Sequence, residues 1–373
     1  MILAWVLGAA LALLVAEGVA RVAIRRGGRY ALVPYKRSEF QLDLTELPQL
    51  EPVVRTEING EGERGGPLPT RDRSTYRVLV AGGSAAECYL LDQERAWPAV
   101  VERRLREERG GITAPFVHVG SMSRSLLPTA AIARLLEGVL PRYRHLDVLV
   151  TFMGASDIVV WMEAGAPEEF EEVVRRDPWL FLQGPDIQLG LSPSRWALRR
   201  WAARWARRFF GRVDRREGVG RAISKNRAMR AAAPHRIEEA PASGAMLATF
   251  ERHLRRVIEL GRAQGARVLV VHQPWIERDF TPEEERQLWN FGCGRPYEDE
   301  VDTYYSRQVV GTLMREVNAV QARVAEELGV ESLSLQERVP MDFEHFYDDL
   351  HLTPRGAELV GTIVADAIRE RTG

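Results

Sequence analysis

Cysteine is nearly absent from this 373-residue chain: Cys88 and Cys293 are the only two, and neither sits in a CxxC or zinc-binding spacing. A disulfide-framework fold and a zinc-stapled fold are therefore excluded. The two thiols either pair with each other or stay free, and they leave the compartment open. An excess of charge is missing too, since 51 basic and 52 acidic residues leave a formal net charge of −1, which argues against a whole-molecule nucleic-acid binder. No internal repeat is present. The 45% hydrophobic and 28% charged fractions exclude a disordered chain, and the length allows one large domain or two small ones.

A basic residue before the first apolar run is also lacking. The opening "MILAWVLGAALALLVA" carries no positive group except the amino terminus, whereas a secretory signal peptide would normally place one there. Residues 1–24 are long enough to cross a bilayer core of about 30 Å, which needs about 20 helical residues. Glu17 and Arg21 fall inside that stretch at i,i+4 spacing, where they can pair near the interface. A single-pass anchor is expected; a buried core helix and a cleaved leader are the alternatives. Arg21, Arg25, Arg26, Arg29, Lys36 and Arg37 follow the run, and such flanks favour a cytoplasmic position for the rest of the chain.

Residues 25–74 read as a polar linker and lead-in, with turns in "NGEGERGGPLP". From residue 75 the pattern becomes periodic. Short β-branched runs at 77–81, 116–120, 148–152 and 267–271 read as strands, each followed by an amphipathic helical stretch, and "GVESLSL" adds a further short strand. Such alternation predicts a three-layer α/β/α domain over 75–373, with a mostly parallel sheet and functional groups at the carboxyl ends of its strands. Ser84, Gly120, Gly154 to Asp157 and Gln273-Pro274 all fall at such ends.

The alternation breaks at about 160–245, which reads as a helical insertion. Its middle, 195–230, holds thirteen Arg/Lys against two acids. On a helix, Leu198, Trp201, Trp205 and Phe209 share one arc and Arg200, Arg204 and Arg207 lie opposite. The 195–212 helix therefore suits a membrane interface, or packs its aromatic face on the domain as a cap. No nucleic-acid-binding motif accompanies the basic residues.

Two places could carry chemistry. Ser84 stands at a strand-to-helix turn after Gly82-Gly83, where a hydroxyl is exposed and helix N-terminal N–H groups are free to hold an oxyanion. The same turn also reads as an N-cap or an anion cradle. In "FYDDLHLTPRGAELV", Asp348 precedes His351 by three residues and can fix its tautomer; Asp349 is the rival partner. Thr353 and Pro354 cap the closing helix. A metal set of His345, Asp348 and His351 is conceivable, but no further ligand cluster accompanies it.

Taken in order, Gly82-Gly83-Ser84, Gly120, Gly154-Ala155-Ser156-Asp157 and Asp348-x-x-His351 resemble the four blocks of the SGNH/GDSL hydrolase family over about 75–370, with the insertion outside. Asn59, Gly62 and Arg64 are similar to the Asn-x-x-Gly-x-Arg segment of its membrane-anchored bacterial members. The resemblance implies a flavodoxin-like fold, Ser84 as nucleophile, His351 as base and Asp348 as its orienter. It implies an oxyanion hole from Ser84, Gly120 and Ser156, where Ser156 replaces the family's asparagine and Gly83 its frequent aspartate. It requires no cofactor and no metal. The expected activity is that of a serine esterase or deacylase acting on an acylated small molecule, glycan or lipid, with Trp179 and Phe181 of the insertion as candidates to form an acyl pocket or to sit against lipid. An O-acyltransferase and a non-catalytic membrane-tethered binding module are the alternatives. The family likeness favours a periplasmic domain, against the flanking charges.

Overall fold

A computed structural model describes residues 1–26, 28–170, 180–181, 196–211 and 213–371. Trp179 and most of the 171–195 stretch lie outside the described residues. Helix α1 (Ile2–Arg26) leads the chain, and its Ile2–Ile24 part is long and apolar enough to cross a membrane. The segment read as a linker is not structureless. It forms β1 (Arg37–Leu42) and β2 (Val53–Glu57), an antiparallel pair with Phe40 opposite Val54. Polar faces hid these strands from the sequence, but Phe40, Leu42, Leu47 and Val54 are buried in the core.

The central sheet contains β3 (Thr75–Gly82), β4 (Phe116–Ser121), β5 (Val148–Met153), β8 (Arg267–His272) and β10 (Glu331–Ser334), all parallel, in the order β10-β8-β5-β3-β4. Strand side chains alternate between two apolar layers. Leu79, Leu149, Val268 and Val270 face α4 (Thr129–Val139), α5 (Ala155–Glu163), α8 (Gly244–Ala263) and α9 (Arg307–Leu328). Val78, Val80, Val148, Val150 and Leu269 face α3 (Trp97–Glu107) and α10 (Pro354–Glu370). The expected three-layer α/β/α architecture is thus the one adopted. Strand order reverses at β3, with β4 on one side and β5 on the other, so the switch-point crevice opens at the ends of β3 and β5.

The insertion supplies α6 (Ala197–Phe210), β6 (Val213–Val219) and α7 (Arg221–Ala232). β6 adds to β1 in parallel, giving a small sheet β2-β1-β6, and β7 (His235–Ile237) pairs with β9 (Thr303–Tyr305).

Candidate active site

β3 ends at Gly82, where a Cβ would collide with the Phe152 carbonyl of β5. Gly83 follows, and a Cβ there would occupy the space of Ser156 Oγ. The two departures from the resembled pattern therefore meet in space: a side chain at 83 would require the Ser156 hydroxyl to turn away from its present position. Ser84 opens the one-turn helix α2 (Ser84–Glu87), which Cys88 closes in the left-handed region at φ 50°. That strained turn is held from the lead-in segment. Buried Arg64 donates to the Glu87 carbonyl, to the Cys88 carbonyl at 2.7 Å and to the Leu91 carbonyl at 2.6 Å.

Arg64 is itself placed by a buried network. Asn59 Oδ1 accepts from the Glu61 and Glu63 N–H groups at 2.9 and 3.1 Å, which folds 59–63 into a tight loop. The Glu63 carboxylate then meets Arg77 at 2.7 Å, His118 at 2.9 Å and the Tyr143 hydroxyl. Burial opposes the charge on Glu63, yet Arg77 and the hydrogen bond from His118 hold its carboxyl well below the ordinary range.

His351 lies in the loop before α10, fixed on both sides. Thr353 Oγ1 accepts from the Gly356 N–H at 3.2 Å and caps that helix, and the Tyr347 N–H donates to the His351 carbonyl at 2.9 Å. Asp348 Oδ1 accepts the Leu350 and His351 N–H groups at 2.9 and 2.7 Å, so the loop orients the carboxylate. Its Oδ2 lies 2.6 Å from His351 Nδ1, and His351 Nε2 lies 2.8 Å from Ser84 Oγ. With Nδ1–H donated to the carboxylate, Nε2 is left to accept the serine proton. Asp348, His351 and Ser84 form one hydrogen-bonded chain across 267 positions of sequence.

Trp289 and Tyr347 complete the setting. The Trp289 indole N–H donates to Asp348 Oδ2 at 2.8 Å, and the Trp289 and Tyr347 rings lie near-parallel to the imidazole at centroid distances of 5.9 and 5.5 Å. Burial pushes the His351 pKa down, but the Asp348 charge and hydrogen bond outweigh it and raise it above the ordinary histidine value. Burial likewise pushes Asp348 up, and His351 with the loop N–H groups holds it below the carboxylate norm. Asp349 has a different environment: burial and the adjacent Asp348 charge push it up to about 7, against the pull of Arg230. His345 is engaged by Asp342 at 2.7 Å.

Ser84 and His351 open onto a cavity of about 440 Å³ at the switch point. Its walls are mainly apolar and come from Leu90, Leu126, Val159, Val219, Ile223 and Tyr297, so the insertion contributes through the end of β6 and the start of α7. Ser156, at the start of α5, lines the same cavity.

Gly120 does not line it. It sits inside β4 opposite Leu79, and the face where a Cβ would project is covered by the Glu63 side chain. A glycine inside the strand serves the approach of the lead-in segment. Ser125 of this region reaches the cavity, and its N–H and hydroxyl both bond Glu87 of the Ser84 turn, at 2.6 and 2.5 Å. Phe181 is also away from the cavity, under the Arg29 guanidinium at 5.3 Å. Trp289 and Tyr347 gave no signal in the sequence beyond being aromatic, because both stand in irregular segments where periodicity says nothing.

No protein-family model matches the chain, and no curated protein matches it in sequence. Solved structures do align with it. A psychrotrophic esterase from Pseudoalteromonas sp. is 10% identical, with 79% of this chain and 97% of that one covered at a TM-score of 0.39. A protein described as lipolytic and of the G-D-S-L family, from Desulfitobacterium hafniense DCB-2, is 12% identical over 78% and 98%, at 0.37. A carbohydrate acetylesterase from Sinorhizobium meliloti is 11% identical over 79% and 99%, at 0.39. Scores this low say nothing of activity, and the chemistry rests on the site itself.

Proposed function

We propose that this chain is a serine ester hydrolase of the SGNH/GDSL type, held at a membrane by Ile2–Ile24 and acting on O-acyl esters. The observation that carries the reading is the Asp348–His351–Ser84 hydrogen-bond chain opening on an apolar cavity. In this reading Ser84 Oγ attacks the ester carbonyl as His351 Nε2 takes its proton, and Asp348 stabilises the imidazolium. The tetrahedral oxyanion is met by the Ser84 N–H, which has no intrahelical acceptor at its position, and by the Ser156 hydroxyl. Collapse breaks the ester C–O bond, and His351 returns the proton to the leaving alkoxide. Water then repeats the sequence on the acyl-serine and releases the acid.

The cavity volume lies within the range of about 300–1,000 Å³ usual for small-molecule sites, and its apolar walls suit an acyl chain longer than acetyl. Turnover of p-nitrophenyl acetate and butyrate by the full chain in detergent tests the proposal. Butyrate is expected to react faster than acetate, and Ser84→Ala to abolish both. Equal rates for the parent and Ser84→Ala proteins would sink the assignment.

A further inference from the structure

Helix α6 carries its polarity the opposite way round from a packed surface helix. At about 100° per residue, Trp201, Trp205, Leu198, Phe209, Ala202, Ala206 and Phe210 fall on one broad arc. That arc faces outward: Trp201 is 41% exposed, Trp205 44%, Phe209 60% and Phe210 85%. Trp201 meets Trp205 in a tilted contact at 5.5 Å and Trp205 stacks on Phe209 at 5.0 Å between centroids, which orders the apolar face without covering it.

The arginine arc is the side turned to the protein. Arg204 lies over the Tyr30 ring at 4.6 Å and reaches the Gly60 carbonyl, and Arg207 donates to the Pro34 carbonyl at 3.3 Å. Arg199 and Arg208 remain exposed at the two edges of the apolar face.

A second observation says what covers that face. Glu17 of α1 accepts the Ala197 N–H at 3.0 Å and the Leu198 N–H at 2.9 Å, and it also pairs with Arg21 at 2.8 Å. The acid inside the apolar run thus caps the N-terminus of α6, where the helix dipole favours a negative charge. Glu17 stands seven residues before Ile24, about 10 Å along the helix axis at 1.5 Å per residue. If the bilayer core ends near Ile24, α6 begins about that far inside it, close to the 5–10 Å at which interfacial helices lie.

We propose that α6 is an interfacial helix, lying in the leaflet from which α1 emerges, with Trp201, Trp205, Phe209 and Phe210 among the acyl chains. Arg199 and Arg208 reach the lipid phosphates from its edges, as long cationic side chains do. The occupant of the apolar face is the bilayer itself. Since α6 leads directly into β6, whose end lines the cavity, the catalytic domain is tied to the membrane at two points rather than one. The proposal rests on α1 crossing the bilayer, and its test separates the two.

The full chain is prepared in lipid nanodiscs with Cys293→Ser and one environment-sensitive label, attached at Leu7→Cys, Phe209→Cys, Phe210→Cys or Arg286→Cys. Spin-labelled lipids carrying the quencher near the glycerol backbone are expected to extinguish most emission at 209 and 210. Position 7, about 25 Å along α1 from Ile24 and so toward the opposite face of the core, should be quenched by lipids of either depth, glycerol-level or deep in the core, and Arg286→Cys should stay unquenched by either. Quenching at 7 without loss at both 209 and 210 would overturn the interfacial helix and leave the span standing. No quenching at 7, 209 or 210 would overturn both. A label at 209 and 210 shielded from water yet not quenched by either lipid would assign the face to a protein partner, again contradicting the proposal.

Discussion

Trp289 brings its indole N–H to Asp348 and its ring to His351, so it acts on the base through both neighbours. Trp289→Phe keeps a stacked ring and removes the donor. Hydrogen bonds to charged groups are worth about 1.5–3 kcal/mol, so kcat/KM is expected to fall about tenfold or more. The pH profile separates this from a packing defect. The base works as neutral imidazole, so activity rises with pH through the His351 pKa, which lies above the ordinary 6.5. Without the indole, the carboxylate charge is less dispersed, and the acid limb is expected to move to still higher pH. The sign for stability is the reverse. A raised histidine pKa stabilises the fold below the unfolded value, and that contribution is lost as pH rises through the folded one. Ser156→Ala tests the oxyanion assignment: one lost donor costs about 2.7–4 kcal/mol, read as a 10²–10³-fold drop in kcat with KM little changed. That Asp348, His351 and Ser84 come together was legible because residue type and local spacing point to it. Trp289 was not, because an aromatic in an irregular loop is placed by the tertiary fold alone.

The lead-in segment shows what periodicity cannot detect in an element. Its strands are short and carry polar residues on the open face, and the importance of 59–64 comes from buried polar contacts rather than from an apolar stripe. The Asn59-x-x-Gly62-x-Arg64 pattern was visible as a resemblance, but its physical task was not: Arg64 closes the left-handed end of the helix that carries Ser84. Arg64→Met would strand three buried carbonyls, at about 1–3 kcal/mol each before relaxation. A loss of at least about 3 kcal/mol is expected in denaturant unfolding, on the low side of that sum. The surviving folded fraction should show a lower kcat, because the turn that carries Ser84 is no longer held. A variant as stable and as active as the parent would remove Arg64 from this role. The same limit explains Gly120, which the sequence places at a strand end like Ser84 and Gly154. Only the contact with Glu63 reveals that it serves packing.

At the scale of the molecule, alternating strands and helices announced the three layers, because a parallel sheet buried on both faces imposes that pattern on every strand. The boundary at residue 75 was less well announced. Arg77 in β3 is buried and takes its counter-charge from Glu63, so the domain is electrically incomplete without the lead-in. A chain beginning at residue 75 leaves that guanidinium unpaired, at a cost of about 3–5 kcal/mol, and strips the cover from β4. It is expected to show no cooperative thermal transition by circular dichroism, whereas a chain beginning at residue 29 should retain one. The basic residues after the apolar run also look different in the fold. Lys36 pairs with Asp214 and Arg37 with Glu57, and Arg29 lies over Phe181. Charges engaged this way belong to the folded domain, which a count of flanking residues does not capture.

Covalent trapping of the nucleophile addresses the central claim most directly. The full chain in detergent is treated with a fluorophosphonate, digested and mapped by mass spectrometry. A single phosphonyl adduct on Ser84, absent from Ser84→Ala and strongly reduced in His351→Ala, is the result expected of a serine activated by the Asp348–His351 pair. An unmodified Ser84 in a folded parent protein would contradict it.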